Sequence, residues 1–290
     1  MNRIVEKKQL SELVYMMKIE APLIAESRLP GQFIILQVDA EWGERIPLTI
    51  ADADPKAGTI TIAFQPVGYS TKLLATKEVG EFLPAVLGPL GNPSEIENFG
   101  HVVCVGGGFG TAPLFPIVEA LKKAGNKVTV ILGYRNKKLI ILEDEMRALA
   151  DEVVVVTDDG SYGRQGLVTV PLKEMCESSV PPNRVIAIGP PIMMKFCGET
   201  TRPFGIPTIV SLNTIMIDGT GMCGGCRVTV GGETKFVCVD GPEFDAHKVD
   251  FDNMIKRLKA FVPQEQSVLE KHSCNLQKAA DRLAAAENNK

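Results

Sequence analysis

Hydrophobic positions fall into three successive textures along the chain. Up to about residue 98, apolar residues come in short runs that are β-branched or alternate with polar ones: Leu13–Ile19, Gln32–Val38 and Thr59–Phe64. Pro30-Gly31, Asp54-Pro55 and Ala57-Gly58 punctuate these runs as turns, so the pattern predicts antiparallel strands. One short helix is predicted near Ser70–Lys77, and the breaker cluster Gly88–Pro93 is expected to close this unit. From His101 the texture changes. Continuous apolar strands at Val102–Val105, Val128–Leu132, Val153–Val156 and Val185–Ile188 alternate with helices predicted through Leu114–Leu121, Glu143–Ala150 and Val170–Glu177. Strands apolar on both faces, alternating with helices, predict a doubly wound parallel α/β domain ending near Leu212. Beyond it come a Gly/Cys-rich loop and a hairpin-like pair, Arg227–Val230 and Lys235–Val239. A helix past Asp250 places Met254, Ile255, Leu258 and Phe261 on one face, and a helical tail is expected over about 264–290. The expected domains are 1–98, 99–212 and 213–290.

Composition narrows the class. The 290 residues are 45% apolar and 23% charged, the balance of a soluble globular protein. A net charge of −4 with no basic run argues against a nucleic-acid partner. No apolar stretch approaches the roughly 18 residues that span a bilayer, and Met1–Lys7 lacks the apolar block of a secretory signal, so a cytoplasmic protein with no membrane association is expected. Seven cysteines, an odd number, argue against a disulfide scaffold and leave metal or redox chemistry open.

The spacing Asp218-x4-Cys223-x2-Cys226-x11-Cys238 is the sharpest chemical signal. Plant-type [2Fe–2S] centres use Cys-x4-Cys-x2-Cys and a distant fourth cysteine. Here Asp218 holds the first position, and a carboxylate is an anionic oxygen ligand that can also bind iron. Gly219, Gly221, Gly224 and Gly225 suit a loop that must fold tightly around a cluster and aim N–H groups at sulfur. A structural zinc site and a dithiol redox pair at Cys223 and Cys226 fit the same residues. The strand–glycine–helix junction Gly106, Gly107, Gly108, Gly110, Thr111 is a pyrophosphate cradle in which Thr111 takes the place of the third fingerprint glycine. Asp158 and Asp159, past a strand end, suit the ribose 2′-OH of NAD, whereas Tyr134-Arg135 would suit a 2′-phosphate. Gly189-Pro190 marks another strand end. His101, His247 and His272 are isolated and read as structural or exposed. Cys104, Cys176, Cys197 and Cys274 read as core or surface residues, and Trp42 has no readable role.

Arg45-Ile46-Pro47-Leu48-Thr49 and Gly68-Tyr69-Ser70-Thr71, ahead of such a domain, resemble the flavin motifs of the ferredoxin–NADP reductase superfamily. The resemblance implies a six-stranded antiparallel FAD-binding barrel followed by an NAD(P)-binding α/β domain. It places the Thr49 hydroxyl at the flavin N5 as the catalytic contact, with Pro47 and Leu48 beside the flavin. Leu48 replaces an aromatic residue, and Arg45 lies one position upstream of the arginine that contacts phosphate, where Ile46 stands. Gly68, Ser70 and Thr71 match the helix start that meets the FAD pyrophosphate, and Gly106–Pro113 matches the nucleotide loop. Gly189-Pro190-Pro191 matches the motif beside the nicotinamide, with Ile188 where that motif has cysteine. The appended cluster loop is similar to dihydroorotate dehydrogenase electron-transfer subunits. With Asp218 in the first ligand position, it is more similar to the small subunit of NADH-dependent reduced ferredoxin:NADP oxidoreductase. That likeness implies FAD, NAD(H) or NADP(H), and a [2Fe–2S] cluster on Asp218, Cys223, Cys226 and Cys238. It also implies a larger iron–sulfur flavoprotein partner in a heterodimer or higher assembly, and an indirect link to ferredoxin.

Overall fold

The computed structural model describes residues 2–41 and 43–271. Trp42, His272, Cys274 and the tail expected from 272 onward lie outside the described residues.

The first unit is a barrel of antiparallel strands: β1 (Asn2–Ser11), β2 (Val14–Glu20), β3 (Phe33–Gln37), β4 (Arg45–Asp54), β5 (Thr59–Phe64), β6 (Phe82–Leu83) and β7 (Ala85–Leu90), with α1 (Pro22–Ser27) and α2 (Tyr69–Thr76) between them. Their order is β6-β1-β2-β5-β4-β3-β7. Only Pro84 separates β6, which pairs with β1, from β7, which pairs with β3. The seven segments are therefore six strands, the last broken by a residue that has no N–H to give the ladder. Two elements differ from expectation. Strand β1 was not predicted, because Arg3, Glu6, Lys7 and Lys8 interrupt its apolar positions and leave only Ile4 fully buried. The breaker cluster overlaps the last strand: Gly88-Pro89-Leu90 lie within β7, and Gly91-Asn92-Pro93 follow it. Gly88 and Pro89 sit where its register against β3 shifts between Phe33 and Ile35, and a bulge accommodates a proline.

The second unit follows the predicted alternation: β8 (His101–Gly107), α3 (Thr111–Lys123), β9 (Lys127–Tyr134), α4 (Glu143–Leu149), β10 (Glu152–Thr157), β11 (Arg164–Gln165), α5 (Thr169–Cys176), β12 (Arg184–Ile188), α6 (Pro191–Thr201) and β13 (Thr208–Ser211). The parallel order β11-β10-β9-β8-β12-β13 reverses direction between β8 and β12, which makes a crevice at their carboxyl ends. Alternate residues of β8 serve opposite faces: Val102 and Cys104 pack with α3, Val103 and Val105 with α5 and α6.

The last stretch carries β14 (Arg227–Val230), β15 (Glu233–Phe236), α7 (Val237–Asp240), β16 (Glu243–Asp245) and α8 (Phe251–Leu258). The second hairpin strand starts and ends earlier than expected. Gly231-Gly232 makes the turn, Val230 pairs with Glu233, and Cys238 sits on the helical turn α7 instead of a strand. On α8 Met254 is buried, but Phe261 lies beyond the helix and is 54% exposed, so it leaves the expected apolar face. Strand β16 adds antiparallel to β13 at the edge of the parallel sheet, stitching this stretch to the second unit.

Strand β3 joins all three units. Ile34 and Leu36 point into the barrel core, whereas Phe33 and Ile35 point outward. There they share one buried cluster with Val185 and Val210 of the parallel sheet and with Cys226, Val228, Val237 and Cys238. At φ +76 Gly219 has its backbone so close to Ile35 and Leu90 that a Cβ would stand 2.7–2.8 Å from their side chains. Ile35→Ala should cost about 2–5 kcal/mol, the cost of truncating a buried Ile. An outward barrel residue facing only water would be near neutral, and urea unfolding distinguishes the two.

Glu243 on β16 accepts a hydrogen bond from the Ser94 hydroxyl at the barrel–sheet linker. Burial pushes its carboxyl up, against the pull of Ser94 and Arg184 and with the help of Glu95. The folded state therefore holds a proton that the unfolded state has released, from the ordinary value of 4.5 up to the raised one. Stability falls with rising pH across that window. Glu243→Gln should flatten this fall while keeping an acceptor for Ser94, as read from urea midpoints between pH 4 and 8.

Candidate functional site

The cluster loop brings the four expected residues together as two pairs. Cys223 Sγ lies 3.3 Å from Asp218 Oδ1, and Cys226 Sγ lies 3.2 Å from Cys238 Sγ. Among the described residues no three His, Cys, Asp or Glu side chains are placed around a single ion. The Cys-x2-Cys thiols are each paired with a different residue, which disfavours a dithiol couple. Two pairs of ligands suit two metal ions side by side. The Asp218 carboxylate accepts N–H bonds from Thr220, Met222 and Cys223 and the Thr220 hydroxyl bond, at 3.1–3.3 Å. Although burial pushes its pKa up, the donors from Thr220 and Cys223 hold it down at about 2. Burial and the Cys226 sulfur push Cys238 up to about 12. Two buried sulfurs this close carry negative charge together only with a cation between them.

At the crevice, glycines let two strand ends meet. A Cβ on Gly107 would stand 3.0 Å from Pro190 and closer still to Met193, and one on Gly189 would stand 3.0 Å from the Gly107 Cα. Gly108 differs: its φ is +54 and nothing lies within 4 Å of where a side chain would be, so its backbone borders open space just before α3. Thr111 is fully buried and its hydroxyl bonds Tyr134 at 2.8 Å. Tyr134 in turn donates to the Ile141 carbonyl at 3.0 Å, and burial pushes its phenol up to about 12. Tyr134 is thus a packing residue and not a phosphate contact; of the Tyr134-Arg135 pair only Arg135 is exposed. Asp159 accepts from the Ser161 N–H within its turn, whereas the Asp158 carboxylate is exposed and has no hydrogen bond among the described residues.

On the barrel, Thr49 pairs with Phe33 and Pro47 with Ile35, and directly opposed residues share a face. The row Arg45, Pro47, Thr49 therefore faces outward, beside the row that touches the cluster loop. Leu48 points the other way, into the barrel core with Ile46 partly buried against it. Arg45, out of step with the family motif, still falls on the Thr49 face. Helix α3 packs against β4. At the start of α2, Thr71 accepts the Gly68 N–H at 3.0 Å and Ser70 donates to Glu44 at 3.1 Å. Both hydroxyls are engaged locally, which leaves the first-turn N–H groups as the donors for an anion there.

Two family models match this chain: the oxidoreductase NAD-binding domain over residues 104–199, and the iron–sulfur cluster binding domain of dihydroorotate dehydrogenase B over residues 213–250. A Thermotoga maritima protein described as a dihydroorotate dehydrogenase B (NAD(+)), electron transfer subunit homolog is 48% identical over 266 residues, covering 92% of this chain and 93% of its own. The electron transfer subunit from Bacillus caldolyticus is 36% identical, covering 85% of this chain and 96% of its own. The chain belongs to the family of dihydroorotate dehydrogenase B electron-transfer subunits. A chain from the structure of NADH-dependent reduced ferredoxin–NADP oxidoreductase, studied for flavin-based electron bifurcation, superimposes with a TM-score of 0.88 at 46% identity. It covers 94% of this chain and 98% of its own. This electron-transfer-subunit homologue is an NAD(P)H-dependent oxidoreductase subunit whose cofactors are FAD, a [2Fe–2S] cluster and NAD(H). No helix among its described residues is long and apolar enough to cross a membrane.

Several residues at these sites carried no motif signal. Met193 wedges between Gly107 and Gly189, Tyr134 anchors Thr111, Glu44 takes the Ser70 hydroxyl, and Ile35 supports the cluster loop. Only Tyr134 had a legible hint, as a polar-tipped aromatic ending an apolar strand. Tyr134→Phe leaves the buried Thr111 hydroxyl without this partner and should cost about 1–3 kcal/mol. Thermal unfolding measures it, and Tyr134→Phe combined with Thr111→Val should recover part of the loss.

Proposed function

We propose that this subunit takes electrons from NADH at FAD and passes them through its cluster to a larger iron–sulfur flavoprotein partner, as one arm of a cytoplasmic NADH-dependent ferredoxin:NADP oxidoreductase. When bound, FAD accepts a hydride from the nicotinamide and releases the two electrons singly to the cluster. The observation that carries this reading is the pairing of β3 with β4. The Thr49 row stands one strand spacing, about 4.8 Å, from the Ile35 row that Gly219 of the cluster loop touches.

Each residue then has a task. Thr49 offers its hydroxyl to the flavin N5, beside Pro47 and the backbone of Leu48. The first-turn N–H groups of α2, after Gly68 and through Ser70 and Thr71, meet the FAD pyrophosphate with Arg45 on the same barrel face. Gly106–Gly110 and the start of α3 at Thr111 cradle the nicotinamide dinucleotide, with Gly189-Pro190 closing the crevice. Asp158 accepts from the adenosine ribose, and Asp159 shapes the turn that presents it, which favours NAD(H) over NADP(H). Asp218 and Cys223 hold one iron, Cys226 and Cys238 the other. A dihydroorotate dehydrogenase assembly is the second reading, favoured by the relatives from Thermotoga and Bacillus.

Native purification decides between them: a large flavoprotein with additional iron–sulfur clusters should copurify, and a dihydroorotate-oxidising subunit in its place would establish the second reading. A colourless, zinc-loaded protein would sink both. The hydrogen bonds on the Asp218 carboxylate draw off ligand charge, so Asp218→Cys should keep a cluster and move its potential negative. The expected shift is on the order of 60 mV, tenfold in a one-electron equilibrium. Redox titration followed by visible absorption reads it, and an unaltered spectrum and potential would remove Asp218 from the ligand set.

A further inference from the structure

The start of α2 carries a carboxylate where a phosphate is to be received. Glu44 stands in the turn before β4, and its Oε2 accepts the hydroxyl of Ser70 at 3.1 Å. Ser70 is the second residue of α2 and is 3% exposed. A serine hydroxyl has one proton to give, and here Glu44 takes it. A phosphate at the same helix start therefore finds the first-turn N–H groups but not that proton, and has a negative charge for a neighbour. Glu44 is exposed, as are Glu41 in the same turn, Arg45 and Lys72. With the partly buried Asp39, these are the charged residues of the turn and of the first turn of α2. Ile46, two positions beyond Glu44, is partly buried against the barrel core and brings no charge.

FAD and FMN bring different charges to this place. In FAD each phosphate of the pyrophosphate is bridged and carries one negative charge. The terminal phosphate of FMN has a second ionisation near about pH 6, so it carries close to two charges at pH 8 and little more than one at pH 5.5. The helix N-terminus and Arg45 suit one such charge, and the second meets Glu44. At about 6 Å and an effective dielectric constant of about 40, one added unit of like charge weakens binding about tenfold. The second phosphate of FAD, farther along the chain of the cofactor, offsets part of that difference.

We propose that Glu44 makes this barrel choose FAD over FMN, its carboxylate repelling a terminal, doubly ionised phosphate and tolerating a bridged one. The inference rests on the FAD pyrophosphate lying at the start of α2, as proposed above. Glu44 thus sets which flavin is held and takes no part in moving its electrons.

The test uses the full chain purified without oxygen, with its cluster and flavin. It is equilibrated with FAD and a large excess of FMN, freed of unbound flavin, and its acid-released flavins are counted by chromatography. The readout is the ratio of bound FMN to bound FAD at pH 8 and at pH 5.5. Glu44→Gln keeps an acceptor for Ser70 and removes the charge. It should raise that ratio about three- to tenfold at pH 8 and about twofold or less at pH 5.5. Glu41→Gln removes the same charge from the same turn and should leave the ratio unaltered at both. Both side chains are exposed, so neither substitution disturbs the core. A ratio that Glu44→Gln leaves unaltered, or raises equally at both pH values, would overturn the inference and leave FAD on the barrel. So would an equal rise with Glu41→Gln. A chain that binds neither flavin would instead overturn the FAD site itself.

Discussion

Burial of strand β3 on both of its faces is the constraint from which the rest of the arrangement follows. Most barrel strands bury one row of side chains and wet the other. Here Ile34 and Leu36 fill the barrel, and Phe33 and Ile35 fill the core shared with the parallel sheet and the cluster loop. Each such side chain contributes roughly 1.5–3 kcal/mol by leaving water. The apolar run Phe33–Leu36 thus belongs to two cores at once. The cluster loop can approach the barrel only where Gly219 lets its backbone lie on Ile35 and Leu90. The distance from the Thr49 face to the loop is then set by a β-ladder, one of the stiffest rulers a protein has. Electron transfer between two cofactors needs such a fixed separation more than it needs acid–base side chains.

The nucleotide crevice solves a different problem with the same means. The glycines of the loop are not interchangeable, because Gly107 and Gly189 are small so that β8 and β12 can meet around Met193, while Gly108 opens onto free space. Thr111, in place of a third glycine, takes its hydroxyl partner from Tyr134 and so ties the start of α3 to β9. The loop is held from behind by buried packing and hydrogen bonds, and its front is left clear for a ligand. Rigid support behind an open surface lets a hydride donor stack at a reproducible position.

How much of this was legible depended on whether the signal was local. The α/β alternation read cleanly because buried parallel strands are apolar on both faces, and Val102–Val105 or Val153–Val156 announce themselves without context. The cluster loop read cleanly because its chemistry is a spacing. Strand β1 did not read, since its lysines and glutamates break the period. Strand β7 did not, since Gly88-Pro89 breaks its pattern where the register against β3 shifts. Cys238 belongs to the spacing but was expected on a strand, because a four-residue helical turn leaves no periodicity to detect. Tyr134 looked available for phosphate because nothing local tells that Thr111 and Ile141 will enclose it. What is invisible in each case is a contact between residues far apart in the chain.

The pairing of the four cluster-loop side chains belongs to that invisible class. The spacing names Asp218, Cys223, Cys226 and Cys238 but not which of them face each other. The fold decides, because the loop is pinned along one side only. Its later half runs into the hairpin and α7, whose Val228 and Val237 are buried in the shared core, and this carries Cys226 and Cys238 inside. Its earlier half crosses the barrel edge at Gly219 and then turns outward through Met222, leaving Asp218 to gather the N–H groups of a bare loop. The tethering therefore leaves Cys226 and Cys238 buried and Cys223 exposed.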